Sequence, residues 1–191
     1  MNKGRLEAFS DGVLAIIITI MVLELKAPHG AGPEALQPLI PVFFSYVLSF
    51  VYVGIYWNNH HHLLHAAKQV SGPVLWANLH LLFWLSLIPV TTGWMGANHF
   101  APWPTALYGT VLLLAGGAYV VLTRALIARH GQDSTLAVSI GSDRKGKISL
   151  LTYAVAIPLA FISEWIACAC YVAVAIVWLI PDRRIERALS L

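Results

Sequence analysis

Residues 5–25 read RLEAFSDGVLAIIITIMVLEL, and this stretch decides the fold because it is a membrane helix with acidic residues near both ends. Only the 12 uncharged residues 12–23 separate Asp11 from Glu24, which is about 18 Å of helix. A bilayer core is about 30 Å thick, so a helix that crosses it takes one or both carboxylates to membrane depth. An aspartate costs roughly 2.5–3.5 kcal/mol at the centre of such a helix. We therefore expect Asp11 to have a polar partner, either as an anchor between helices or as a proton carrier.

The rest of the chain has the composition of a membrane protein. Of its 191 residues, 58% are hydrophobic and 11% are charged, whereas soluble domains carry about 25% charged residues. The formal net charge of +3 is too small to indicate a nucleic-acid partner. No polar segment is long enough to house a soluble active site, so the bilayer itself is the expected environment.

Six apolar stretches predict membrane helices in a single all-α domain that covers residues 1–191. They span residues 5–25, 40–65, 73–95, 103–128, 148–161 and 165–180. The last two are short, but one helix over residues 148–180 would be about 50 Å long, too long for one crossing. We therefore expect a tight hairpin that turns at Ser163 and Glu164.

The distribution of basic residues predicts the orientation of these helices. With six crossings and a cytoplasmic N-terminus, 11 of the 12 lysines and arginines are cytoplasmic and only Lys26 is outside, as the positive-inside rule requires. Five crossings would put the three C-terminal arginines outside. The prediction is a multi-pass protein of the cell membrane with both termini cytoplasmic. The eleven residues are Lys3, Arg5, Lys68, Arg124, Arg129, Arg144, Lys145, Lys147, Arg183, Arg184 and Arg187.

The first helix carries the motif RxxxFSD at residues 5–11. In the first helix of a six-helix unit, this motif resembles the signature of the transmembrane protein 175 family, the lysosomal potassium channels and their prokaryotic relatives. The resemblance continues through residues 12–25. It extends more loosely to Tyr56 and Trp57 with the histidines that follow, to Asn78, and to residues 85–89.

The resemblance implies a potassium-selective channel without a re-entrant filter loop, in which four copies of the first helix line one central pore. Animal members have two six-helix repeats per chain and this chain has one, which implies a homotetramer. The family's hydrophobic constriction maps to Ile16, its filter threonine to Thr19 and a further apolar layer to Leu23. These residues follow the i, i+3, i+7 spacing of one helix face. The helix is apolar nearly all round, so the spacing alone leaves open whether that face meets water.

The resemblance also implies that the motif residues lie behind the pore and bond to polar groups of neighbouring helices; they are Arg5, Phe9, Ser10 and Asp11. Polar residues inside the membrane need partners, and Asn78 and His80 of the third helix are the possible partners of the motif. Glu24, at the outer end of the first helix, has two readings. Four copies would form an acidic ring that attracts cations at the pore mouth, or the side chain pairs locally with Lys26.

Two other functions compete with the channel. A proton-coupled secondary transporter would use Asp11 and His80, but such proteins are usually built from internal repeats, and none is visible here. A membrane metalloenzyme would use the four histidines within residues 60–65, but such enzymes need several histidine clusters on one side of the membrane. We expect no enzyme activity, no cofactor and no resident metal. The expected partners are copies of the chain, the lipid bilayer and the permeant potassium ion.

Overall fold

The computed structural model of the chain describes residues 3–67, 69–131, 137 and 143–179. All regular elements in these ranges are helical, in agreement with the predicted all-α class. They are α1 (Lys3–Leu23), a 3-10 helix (Pro33–Leu39), α2 (Ile40–Ala66), α3 (Gly72–Ser86), α4 (Ile88–Ala97), α5 (Pro102–His130), α6 (Arg144–Leu159) and α7 (Glu164–Leu179).

Four helical segments are long and apolar enough to cross a membrane, namely Lys3–Leu23, Pro33–Ala66, Gly72–Ala97 and Pro102–His130. The remaining two, α6 and α7, have 16 residues each, about 24 Å of helix. They pack against each other and are joined by the short turn at residues 160–163, as the expected hairpin requires. With α3 and α4 counted as one interrupted segment, the described residues form six helical segments.

The expected third helix is interrupted at Leu87, so that α3 and α4 replace one continuous helix over residues 73–95. The cause is Pro89, which has no N–H to donate to the carbonyl of Leu85 and whose ring clashes with that carbonyl in a regular helix. The hydroxyl of Thr91 donates to the carbonyl oxygens of Leu87 at 3.2 Å and Ile88 at 3.1 Å. The polar groups at the break are thereby partly satisfied without water.

Two buried clusters hold the helices together. The first is formed mainly by α1, α2, α3 and α5 and is made of aliphatic side chains such as Leu14, Val53, Leu81 and Leu122. The second joins α2, α4, α5, α6 and α7 around four tyrosines: Tyr52, Tyr108, Tyr153 and Tyr171. α1 contributes side chains only to the first cluster. It contacts α2, α3 and α4.

The tyrosine cluster is closely packed and its hydroxyl groups have partners. Tyr52 donates to the carbonyl of Tyr171 at 2.6 Å, and the Tyr171 hydroxyl donates to the carbonyl of Thr105 at 3.1 Å. A Cβ at Gly109 would lie 2.7 Å from Cζ of Tyr171, so only glycine lets α5 and α7 approach this closely. Because these tyrosine hydroxyl groups are hydrogen-bonded within the protein, the side chains can lie in the membrane interior.

One end of the bundle gathers the start of α1 and the ends of α2 and α5. The Lys3 ammonium donates to the carbonyl of His65 at 3.2 Å, and the Arg129 guanidinium donates to the side chain of Gln69 at 2.7 Å. Several of the basic residues counted in the sequence lie at this end. Lys68 and the three C-terminal arginines, Arg183, Arg184 and Arg187, are outside the described residues, as is residue 180 at the end of the last predicted helix.

Candidate functional site

One side of α1 is left uncovered by its own chain. The side that packs on the bundle consists of Leu6, Ser10, Leu14, Ile17 and Met21. On the other side, Ile16 is 58% exposed and Leu23 is 77% exposed, and Thr19 is exposed between them. The three residues predicted to line a pore thus share one exposed face of α1. This face is not covered by the described part of its own chain.

The Thr19 hydroxyl is oriented by its own helix. Its Oγ1 donates to the carbonyl of Ile16 at 2.9 Å. A hydroxyl has one proton to donate and two lone pairs, so the lone pairs of this oxygen remain available on the open face. An oxygen in this state can accept a hydrogen bond from water or contact a cation.

Behind the open face, three buried polar side chains form a chain of hydrogen bonds across α1, α3 and α2. Asn78 Nδ2 donates to Ser10 Oγ at 2.9 Å, and Asn78 Oδ1 lies 2.7 Å from His60 Nε2. Ser10 in turn donates to the carbonyl of Leu6 at 2.9 Å. Ser10 and Asn78 are fully buried and His60 is 2% exposed. The network therefore ties α1 to the bundle on the side opposite the open face.

Sequence reasoning missed His60 as the third member of this network. The sequence presents His60, His61, His62 and His65 as one cluster, but successive residues on a helix differ in direction by about 100°. His60 points into the bundle and His61 is exposed. The available signal was its position: His60 lies seven residues after the buried Val53, which places both on the same helix face.

Asp11 has a different partner from the one expected. Its Oδ1 accepts a hydrogen bond from Trp57 Nε1 of α2 at 3.1 Å, and both side chains are exposed in the single chain. The Trp57 ring stacks on His61, and His61 stacks on His65, with centroid distances of 6.0 and 6.1 Å. Asp11 therefore joins α1 to an aromatic ladder on α2.

In the single chain, two of the site residues lie elsewhere than expected. His80 does not face the motif: it is exposed and accepts a hydrogen bond from Trp84 Nε1 of its own helix at 2.9 Å. It lies two residues from Asn78, about 200° around the helix, so both cannot point toward α1. Phe9 does not lie behind the open face, because it is 53% exposed and only about 20° from the direction of Ile16. Arg5 is exposed as well.

Glu24 lies beyond the last residue of α1 and is exposed. A Cβ placed on Gly93 of α4 would be 3.4 Å from Oε2 of Glu24. The Glu24 carboxylate therefore lies beside α4. In the described ranges the one side-chain ion pair is Lys3–Glu7 at 3.6 Å. Local pairing of Glu24 with Lys26 is therefore not observed.

The histidines do not form a metal centre in the part of the chain that the structure describes. No group of three or more His, Cys, Asp or Glu side chains converges there. His60 is bonded to Asn78, while His61 and His65 stack as near-parallel rings with an interplanar angle of 16°. Each of these three histidines thus contacts another side chain.

These features define a multi-pass α-helical membrane protein whose first helix is bonded to the bundle on one side and open on the other. The sequence model described as Endosomal/lysosomal potassium channel TMEM175 matches residues 5–89. A protein from Chryseobacterium sp. (strain P1-3) named potassium channel is 55% identical over 190 residues, which cover 100% of this chain and 99% of that protein. One from Streptomyces collinus with the same description is 33% identical over 179 residues, covering 85% of each.

The fold agrees with these similarities. The crystal structure of a lysosomal potassium-selective channel TMEM175 homolog from Chamaesiphon minutus superposes with a TM-score of 0.81 at 26% identity, covering 94% of this chain and 97% of that one. The chain belongs to the TMEM175 family. It is a member of a family of ion channels and not an enzyme.

Proposed function

We propose that this chain forms a potassium-selective channel in which four copies assemble around one axis and the open faces of their α1 helices line the pore. The observation that carries the proposal is the uncovered stripe of α1, with Ile16, Thr19 and Leu23 exposed on it while the opposite side is buried. The family membership and the names of the two bacterial relatives support potassium as the permeant ion.

The stripe has the chemistry that such a pore needs. Four Ile16 side chains on a common axis form an apolar neck that water enters reluctantly, and such a neck gates by dewetting. Four Thr19 oxygens form a polar ring next to it. Because each Thr19 proton is bonded to the carbonyl of Ile16, the ring presents lone pairs that replace part of the hydration shell of a cation. Leu23 adds a second apolar layer.

The buried network gives the stripe its fixed direction. The hydrogen bonds of Ser10 and Asn78, with His60 beyond them, hold the back of α1, and Asp11 bonds to Trp57 beside it. A rotation of α1 by one residue, about 100°, would break these bonds. The network therefore acts as a positioning device for the pore residues and does not contact the ion.

The proposed setting is the cell membrane with both termini in the cytoplasm. Lys3, Arg129 and the start of α6 bring positive charge to the end of the bundle that carries the N-terminus, as expected of a cytoplasmic side. In this orientation Glu24 lies toward the outer mouth, where four carboxylates would concentrate cations. No cofactor takes part; the ligand is the permeant potassium ion.

The rival transporter has less support. Its two proposed carriers are bonded to different tryptophans, Asp11 to Trp57 and His80 to Trp84, and the two pairs lie on different helices. A proton relay needs groups that exchange a proton over a hydrogen-bond distance. The described structure gives no such connection between Asp11 and His80.

The decisive experiment is reconstitution of the purified chain in a planar bilayer with potassium on one side and sodium on the other. We expect a current that reverses near the potassium equilibrium potential and does not change when a pH gradient is added. A reversal potential that follows the proton gradient would instead support the transporter.

The assembly has its own test. Light scattering of the detergent-solubilised protein should give the mass of a tetramer, since closed rotational symmetry is the usual solution for identical chains. A monodisperse monomer or dimer that still conducts potassium after reconstitution would contradict a pore shared by four α1 helices.

A further inference from the structure

A second concave site lies between α2, α5, α6 and α7, with α1 absent from its lining. The cavity has a volume of about 50 Å³, room for about three or four water molecules or one compact ligand group. Asp143, at the start of α6, is one of its lining residues, and its walls are mostly apolar. The channel proposed above makes no use of it.

Aromatic rings form much of the wall of this cavity: Tyr56, Tyr119, Tyr153 and Trp178. The rings are held in place, because the Tyr119 hydroxyl donates to the carbonyl of Asn59 at 3.3 Å and Trp178 Nε1 donates to Ser149 Oγ at 2.9 Å. Aromatic faces carry negative charge density and attract cations. The Lys145 ammonium already lies 5.8 Å from the centre of the Trp178 ring.

Among the described residues that line the cavity, the one charged side chain is acidic. Asp143 is among the lining residues, whereas no lysine or arginine of the described chain is. Its Oδ1 accepts a hydrogen bond from the backbone N–H of Gly146 at 3.0 Å and so caps α6. A carboxylate has about four acceptor positions, so the cap leaves room for a second partner. Of the neighbouring basic residues, Arg144 and Lys147 are exposed, whereas Lys145 is half-buried with its ammonium near the Trp178 ring.

We propose that this cavity binds a small alkylated ammonium ion, with the methyl groups against the aromatic walls and the positive charge balanced by Asp143. An inorganic cation would gain little from the mostly apolar wall, and an anion would meet the carboxylate. Cation–π attraction to several rings favours an alkylated ammonium ion. The site is separate from the potassium pathway.

Equilibrium dialysis of the full-length protein in detergent against radiolabelled choline tests the proposal without any measurement of current. We expect saturable binding that tetramethylammonium displaces and that 3,3-dimethyl-1-butanol, the neutral analogue of choline with the same shape, does not. This comparison needs only the unaltered chain. Absence of saturable binding, or equal displacement by the neutral alcohol, overturns the proposal.

Three variants locate the binding. Val120 lines the cavity and Val121 does not; Val121 is 47% exposed. Val120→Phe fills the cavity and should abolish choline binding, whereas Val121→Phe adds the same group to the outer surface and should leave it unchanged. Asp143→Asn keeps the N-cap, because asparagine caps as well as aspartate, and should weaken binding at least tenfold. Unchanged binding by Val120→Phe or by Asp143→Asn would refute this location or this charge.

Discussion

The strongest structural prediction concerns Asn78, which is the middle member of the buried network. Replacing it with alanine removes the hydrogen bond to Ser10 at 2.9 Å and the one to His60 at 2.7 Å. The two groups that lose their partner are 0% and 2% exposed, so water does not replace the amide without entering the bundle. The change should therefore destabilise the attachment of α1.

The size of this effect follows from two lost bonds. A buried group left unsatisfied costs about 1–3 kcal/mol, and hydrogen bonds within membrane proteins contribute about 0.6 to 1.7 kcal/mol each. Taking roughly 1–2 kcal/mol for each bond gives a loss of about 2–4 kcal/mol. For a chain of this length, each kcal/mol lowers the melting temperature by about 2–4 °C. We expect Asn78→Ala to melt roughly 4–16 °C below the unaltered protein.

The assay is thermal unfolding of the detergent-solubilised protein, followed by the fraction that still elutes as the intact assembly after heating. His80→Ala is the matched control, because His80 is on the same helix, is exposed and, among the described residues, has its side-chain hydrogen bond with the nearby Trp84. It should change stability by about 0.5 kcal/mol or less. If Asn78→Ala melts no lower than His80→Ala, the network does not anchor α1 and the reasoning is wrong.

Three further predictions concern the packing, the exposed hydrogen bond and the filter. Gly96→Ala should prevent stable folding, because its Cβ would lie 2.7 Å from a backbone Cα of α2, whereas Gly117→Ala, with nothing within 4 Å, should be tolerated in the same thermal assay. Trp57→Phe removes the bond to Asp11 and should cost about 0.5–1.5 kcal/mol with the potassium current retained; loss of assembly would contradict this. Thr19→Val keeps the shape of the side chain but removes the hydroxyl, so the reversal potential between potassium and sodium should move toward zero. An unchanged reversal potential would exclude Thr19 as the filter.

The helices were predictable because the bilayer thickness fixes the length of apolar segments. The interruption at Leu87 was also available from Pro89. It was missed because a broken helix and a continuous one carry the same number of apolar residues through the membrane. The hydrophobic pattern reports burial in lipid or protein and does not report a change of direction within a segment.

The polar contacts behind α1 were less predictable. Ser10, Asn78 and His60 come from three helices, and only their packing decides which of several nearby polar side chains meet. Asn78 and His80 differ by two positions and point in opposite directions. The prediction therefore required knowing how α3 is rotated about its own axis relative to α1. Which side of α1 is exposed, and so the direction of Ile16, depends on the same rotational orientation, because α1 is apolar nearly all round.

The central claim is that the open face of α1 lines the ion pathway, and paired asparagine substitutions measured by single-channel recording test it most directly. Ile16 is 58% exposed on that face, whereas Ile18 packs partly buried against the bundle, about 160° around the helix. A polar side chain in an apolar neck lets water stay with the ion, so Ile16→Asn should raise the conductance and weaken closure. Ile18→Asn should disturb packing without opening the pore. If Ile18→Asn opens the pore while Ile16→Asn leaves the current unchanged, the face assignment is wrong and the proposed pore-lining residues fall with it.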